Sequence, residues 1–147
     1  ALVRELIPAI AEHAPHGLRI GMGASLGGLA MLHAHVRHPR TFDGLLLQSS
    51  SFFRQRYDKV ESGFERYRRI TRFVGTVLRG GSNERPIPIA LTCGTAEENR
   101  ANNEAVFDAL SERGYTTWLA EIRDGHTWTC WRDAFDPHLP ALIEAAS

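Results

Sequence analysis

The sequence predicts an α/β protein: a mainly parallel sheet with helices packed on both of its faces. Three observations predict it. Short apolar runs, each the length of a buried strand, alternate with stretches of helical periodicity along the whole chain. The strand-like runs are nearly all apolar, as strands covered on both faces are. The chain has 147 residues, 43% hydrophobic and 23% charged, which suits one domain with a core of its own.

Each element follows from its own stretch. Residues 2–12, LVRELIPAIAE, put Leu2, Val3, Leu6, Ile7 and Ile10 on one helical face, with Pro8 as the expected kink. LRIGMGA reads as a short strand from about Leu18 to Met22, and Ser25 to about Val36 as a helix ended by HPR at 38–40. FDGLLLQSS (42–50) is a second buried strand. Residues 52–85 are rich in arginine and aromatics. Within them Phe64, Tyr67, Ile70, Val74 and Val77 recur at helical steps, so a helical, cap-like insertion at about 52–85 is expected, ending in the loop GGSNERP. IPIALTCGT (87–95) is a third strand. A helix over 98–114 follows, with Ala105, Val106, Ala109 and Leu110 inward and Gly114 as its stop. YTTWLAEIRDG (115–125) is a fourth strand, and the remainder is helical around a break at Pro137 and Pro140. Right-handed crossovers would join such strands, and chemistry would sit at their carboxyl ends.

Charge and composition exclude several classes. Lys plus Arg equals Asp plus Glu, 17 of each, so no nucleic-acid partner is expected. No apolar run approaches the ~18 residues of a membrane span. Cys93 and Cys130 form neither a disulfide framework nor a zinc pattern and read as reduced thiols. His33, His35 and His38 are spaced like metal ligands but lack acidic or cysteine companions, so they read as structural and no metal or other cofactor is expected. The chain opens at Ala1 inside a helical pattern. The expectation is therefore a cytoplasmic protein whose natural N-terminus, with any export signal, lies outside this sequence.

The stretch RIGMGASLGGLAML (19–32) carries the chemistry. Gly23-Ala24-Ser25-Leu26-Gly27 is a G-x-S-x-G pattern between a strand and a helix, the form of a nucleophile elbow. The turn is tight enough to demand small neighbours, and it lifts the Ser25 hydroxyl above the sheet edge. The N–H of Leu26, at the start of the helix, is placed to donate to an oxyanion. A serine needs a base. Of the seven histidines, His126 is the one in the loop directly after the last strand, in RDGHTW, while His138 sits between prolines far down the last helix. The acid belongs after the preceding strand, where TCGTAEEN offers Glu97 and Glu98. Glu97 lies in the turn itself and is preferred, with Glu98 as the alternative. Asp124 is too near His126 in sequence to reach across it. The order serine, acid, histidine is that of the α/β-hydrolase fold.

The stretches GASLGGLAMLHAHVRHPRTFDGLLLQSSSF, CGTAEENRANNEAVFDALSERGY and DGHTWTCWRDAF together resemble the putative-esterase family of α/β-hydrolases, its enterochelin-esterase-like branch above all. The resemblance runs from about residue 3 to the end. It implies Ser25 as nucleophile, His126 as base and Glu97 as acid, with Trp128 matching an aromatic common in the histidine loop. It also implies that this chain is the C-terminal portion of a larger hydrolase, which leaves the elbow strand as an exposed edge. Pairing of two chains along that edge stays open. The implied activity is hydrolysis of a small-molecule ester through an acyl-enzyme on Ser25. Siderophore-type lactone esters would suit the arginine-rich insertion, with Arg54, Arg56 and Trp128 as candidate substrate contacts. Trp118 and Trp131 are expected in the core. An acyltransferase of the mycolyltransferase type and a non-catalytic hydrolase fragment are the alternatives.

Overall fold

The structure is a computed structural model that describes residues 2–13, 17–80 and 85–147. His16, Glu84 and the middle of the loop expected at 80–86 lie outside the described residues. Four strands, β1 (Ile20–Ala24), β2 (Gly44–Gln48), β3 (Ile89–Gly94) and β4 (Thr117–Ile122), form one parallel sheet in the order β1-β2-β3-β4. Ile20 stands opposite Gly44, Leu45 opposite Ile89, and Gly94 opposite Ile122. Every strand starts and stops within three residues of its sequence-predicted limits.

A π-helical turn, Leu2–Leu6, leads into α1 (Ile7–His13). Pro8 has no N–H to give back along the chain, so the helix changes type here, where a kink was predicted. This first segment buries no residue fully: Leu2, Val3 and Ile7 touch the core, while Leu6 and Ile10 stay exposed. Next come α2 (Leu26–Arg37), α3 (Tyr67–Leu78), α4 (Arg100–Ser111), α5 (Trp128–Asp133) and α6 (Phe135–Ala146). Asp136, the residue before Pro137, has extended backbone (φ −104°, ψ 122°), which breaks the last helical stretch where the prolines predict it.

The core follows the two-residue period of the strands. Leu45, Leu47, Ile89 and Leu91 point to one face and pack against α2, α3 and α4 through Leu29, Leu32, Val74, Val77, Val106 and Leu110. Leu46 and Ala90 point to the other face, where Leu142 of α6 covers them. Every residue of β2 and β3 is buried, as their unbroken apolar runs predict. The insertion divides in two. Its helix α3 buries Tyr67, Ile70, Val74 and Val77 as part of the sheet-covering layer. Phe64, placed on that stripe by its spacing, falls just before the helix and is partly exposed. The residues before α3, with a 3-10 turn at Lys59–Gly63, border the carboxyl end of the sheet. Among the described residues no helix is long and apolar enough to cross a membrane.

Candidate active site

Ser25 follows β1 directly and precedes the first residue of α2. Its backbone adopts φ 55°, ψ −123°, a region that costs a residue with a side chain about 1–3 kcal/mol. Gly23 makes the turn possible, because a Cβ there would lie 2.5 Å from the Gly27 carbonyl oxygen. Gly28 is required as well, since the Ser50 hydroxyl occupies the space its side chain would need. Gly27 is different: a Cβ there would meet no described atom within 4 Å. The spatial constraint thus falls on Gly23 and Gly28 and spares the second glycine of the motif. Leu26 is the first residue of α2, so its N–H has no acceptor within the helix.

Glu97 sits in the turn after β3, with its side chain only 2% exposed. Its carboxylate is fully engaged. Oε1 accepts from the Gly94 N–H at 2.8 Å and from the Ser49 hydroxyl at 2.6 Å. Oε2 lies 2.8 Å from Nδ1 of His126. These three partners satisfy the hydrogen-bonding capacity of a carboxylate that burial removes from water. Nδ1 donating to this carboxylate leaves Nε2 as the acceptor nitrogen of the ring, and the His126 side chain is 44% exposed. Gly94 is the small residue this turn requires: a Cβ there would come within 2.7 Å of Glu97 Oε1 and strike the Asp124 carbonyl. Asp124 is committed elsewhere, accepting from the Gly125 N–H at 2.7 Å and the Thr127 hydroxyl at 3.2 Å.

Three consecutive serines after β2 link these parts. Ser49 donates to Glu97. Ser50 is bound through its backbone by Asn103 of α4, whose side chain accepts from its N–H at 3.1 Å and donates to its carbonyl at 3.0 Å. The Ser51 hydroxyl lies 3.1 Å from that of Ser25. Asn99 adds a second clamp, donating to the Ser49 carbonyl at 3.0 Å.

Ser25, Leu26, Glu97, Glu98 and His126 line one cleft of about 770 Å³ at the carboxyl ends of the strands. Phe53, Arg54, Tyr57 and Phe64 line the same cleft. The Arg54 guanidinium stacks over Tyr57 at 4.7 Å, and Asp58, held by Asn102 at 3.0 Å, fixes this rim to α4. Of the predicted substrate contacts, Arg54 lines the cleft while Arg56 and Trp128 stand outside its lining. Trp128 is 73% exposed and lies edge-on to Trp131. The cleft is not cationic either. Asp58, Glu61, Glu97 and Glu98 line it beside Arg54, while Lys59, Arg68, Arg72 and Arg79 border a separate groove.

Trp131, expected in the core, is half-buried against the base: its ring meets that of His126 edge-on, with centroids 5.0 Å apart, and its N–H donates to Ser49 at 3.0 Å. Sequence reasoning missed Ser49, Ser51 and Trp131. The only signals were the run QSSSF and the tryptophan five residues past the histidine.

The remaining candidates are structural. Burial pushes the Cys93 thiol up to about 12, with the Glu97 charge adding to it, and burial also raises Cys130. Both are free and buried thiols, poor nucleophiles in this state. His33 packs edge-on against Phe73, and His35 lies buried with Nε2 3.1 Å from the Tyr115 hydroxyl. Among the described residues no His, Cys, Asp and Glu group could hold a metal ion.

A model of the putative esterase family matches residues 1–142. Among curated proteins the chain is similar to the iron(III) enterobactin esterase of Dickeya dadantii, 31% identical over an alignment that covers 90% of this chain and 32% of that protein. The chain thus spans about a third of the length of that relative. Among solved structures it resembles a ferulic acid esterase, with a TM-score of 0.76 at 17% identity over 98% of this chain and 59% of the other. It also resembles the enterobactin esterase of Shigella flexneri crystallised with 2,3-dihydroxy-N-benzoyl-glycine, with a TM-score of 0.74 at 25% identity over 99% of this chain and 37% of the other. These neighbours share the α/β-hydrolase fold with the sheet and helices described above.

Proposed function

The chain belongs to the putative esterase family, and from that premise we propose that it is a serine carboxylic-ester hydrolase in which Ser25 is the nucleophile, His126 the general base and Glu97 its acid partner. One observation carries the reading. A buried carboxylate lies 2.8 Å from Nδ1 of an accessible histidine, in the same cleft as a serine held at positive φ.

The mechanism follows from those groups. Nε2 of His126 takes the Ser25 proton as Oγ attacks the ester carbonyl, and Glu97 stabilises the imidazolium that forms. The Leu26 N–H donates to the oxyanion, a contribution of about 3 kcal/mol for such a donor. The imidazolium then returns its proton to the departing alkoxide, leaving an acyl group on Ser25. Water, deprotonated by the same nitrogen, attacks that acyl group; the imidazolium then returns the proton to Ser25 Oγ as its bond to the acyl carbon breaks, which frees the acid and restores the serine. The hydroxyl of Ser51 beside Ser25 gives the nucleophile a resting hydrogen bond that it leaves when it turns to His126.

For substrate we propose lactone esters of the siderophore type, bearing aromatic acyl groups. The iron(III) enterobactin esterase is a relative by sequence. The acids named with two structural relatives, ferulic acid and the dihydroxybenzoyl group, are aromatic, and Phe53, Tyr57 and Phe64 offer this cleft aromatic surface. The test is labelling with a fluorophosphonate, which reacts with a serine whose base is in place. Folded protein is expected to label, Ser25→Ala and heat-denatured protein to remain unlabelled. Glu97→Gln is expected to slow labelling by about 100-fold or more and Glu98→Gln to leave it within about threefold.

A second reading has its own support. β1 lies at an edge of the described sheet and the chain spans 32% of its curated relative, which fits a portion of a hydrolase that is inert alone. Absence of labelling in folded protein would favour it.

A further inference from the structure

We propose that Ser49 and Trp131 are positioning residues that close a ring of contacts with Glu97 and His126 and so keep acid and base in register. The inference rests on the reading of Glu97 and His126 given above. Ser49 donates to Glu97 Oε1 at 2.6 Å, the Trp131 N–H donates to Ser49 at 3.0 Å, Trp131 packs edge-on against His126 at 5.0 Å, and His126 Nδ1 returns to Glu97 Oε2 at 2.8 Å.

The chemistry of the donors fixes the direction of this ring. An indole N–H can only donate, so the Ser49 oxygen must accept from it, and the single Ser49 proton is left for the carboxylate. With Oε1 held by Ser49 and by the Gly94 N–H, Oε2 alone faces the imidazole. The perpendicular contact of Trp131 limits rotation of the His126 ring. Trp131 is itself anchored, its carbonyl accepting from Gln48 of β2 at 2.6 Å. Ser49 is fully buried at φ 46°, a conformation a glycine would hold at lower cost. A serine kept there points to a use for its hydroxyl. Other charges bear on His126 equally with or without that hydroxyl: Asp124, bound to Gly125 and Thr127, and Asp58, Glu61 and Glu98 in the cleft.

The test follows the His126 imidazole by NMR titration of the full chain, its resonance assigned by loss in His126→Gln. Ser49→Ala and Trp131→Phe are each expected to move the midpoint by about half a pH unit or more. Added to Glu97→Gln, Ser49→Ala is expected to move it by less than about 0.2 unit, because its only route to the base has gone. Ser49→Gly is expected to melt above Ser49→Ala and yet to displace the midpoint as far, which separates positioning from folding. In ester turnover Ser49→Ala is expected to lower kcat about tenfold with KM within about twofold. An unmoved midpoint, or an equal displacement with and without the Glu97 carboxylate, overturns the proposal. The titration is read without catalysis. An inert chain with the coupled titration would therefore sink the hydrolase reading and leave the ring standing.

Discussion

Two glycines four residues apart in the elbow carry unequal burdens. At Gly23 a methyl group would meet the Gly27 backbone, whereas at Gly27 it would meet open space. Gly23→Ala is therefore expected to destabilise the fold by about 1–3 kcal/mol and to abolish Ser25 labelling. Gly27→Ala is expected to keep labelling and to gain up to about 1 kcal/mol, because alanine is the better helix former. Paired urea melts and labelling rates check both, and equal losses would refute the steric account. That Ser25, Glu97 and His126 would share one cleft was legible in the sequence, because motif, strand ends and chain order each point to the same end of the sheet. Ser49 and Trp131 were not. They meet across 82 residues of sequence, and a serine at a strand end looks like any other until its partners are known. The arginine-rich segment shows the opposite limit: composition records how many arginines there are, and of those in the segment Arg54 alone is among the residues lining the cleft.

Helix α4 reaches the site by its N-terminal end, where Asn99 just before it and Asn103 in its first turn hold the serine run, and its later residues are committed to the core. Helix α2 does the reverse: its start forms the elbow, and its last turn buries His35 against Tyr115. Burial holds His35 down at about 4, with the Arg85 charge adding to it. His35 is thus neutral in the fold, while an unfolded chain takes up a proton below the ordinary 6.5. Its contribution is complete above that value and is lost as pH falls toward 4, by up to about 3 kcal/mol. Burial lowers His33 and His138 as well, so the comparison with His35→Gln isolates this residue. Urea melts between pH 7.5 and 4.5 should fall off more steeply for the wild type; parallel slopes would refute the assignment. The elements themselves were readable from hydrophobic period and turn residues. What periodicity could not say was that α3 joins the sheet-covering layer, since an amphipathic stripe fits a core or a cap alike.

Across the whole molecule the sheet is unevenly protected. β2 and β3 are buried along their length, whereas β1 has a ladder partner on one side only among the described residues. In a parallel ladder a strand directs about half of its N–H groups to each side. Native-state hydrogen exchange should therefore find the outward amides of β1 at least about 100-fold faster than those of β3. Uniform protection would mean that this edge is covered in solution. The elbow thus combines a strained residue with the less protected end of the sheet, and its hold comes from the serine run beside it. Ser49, Ser50 and Ser51 serve three different partners: Glu97, Asn103 and Ser25. A substitution at Ser49 or Ser51 silences one of those links, while the backbone link at Ser50 survives it. An inserted or deleted residue would shift both hydroxyls and the Ser50 backbone to the wrong address at once. Surface connections ordinarily drift in length as lineages diverge. This one counts its residues, so its length should be inherited even where its letters are not.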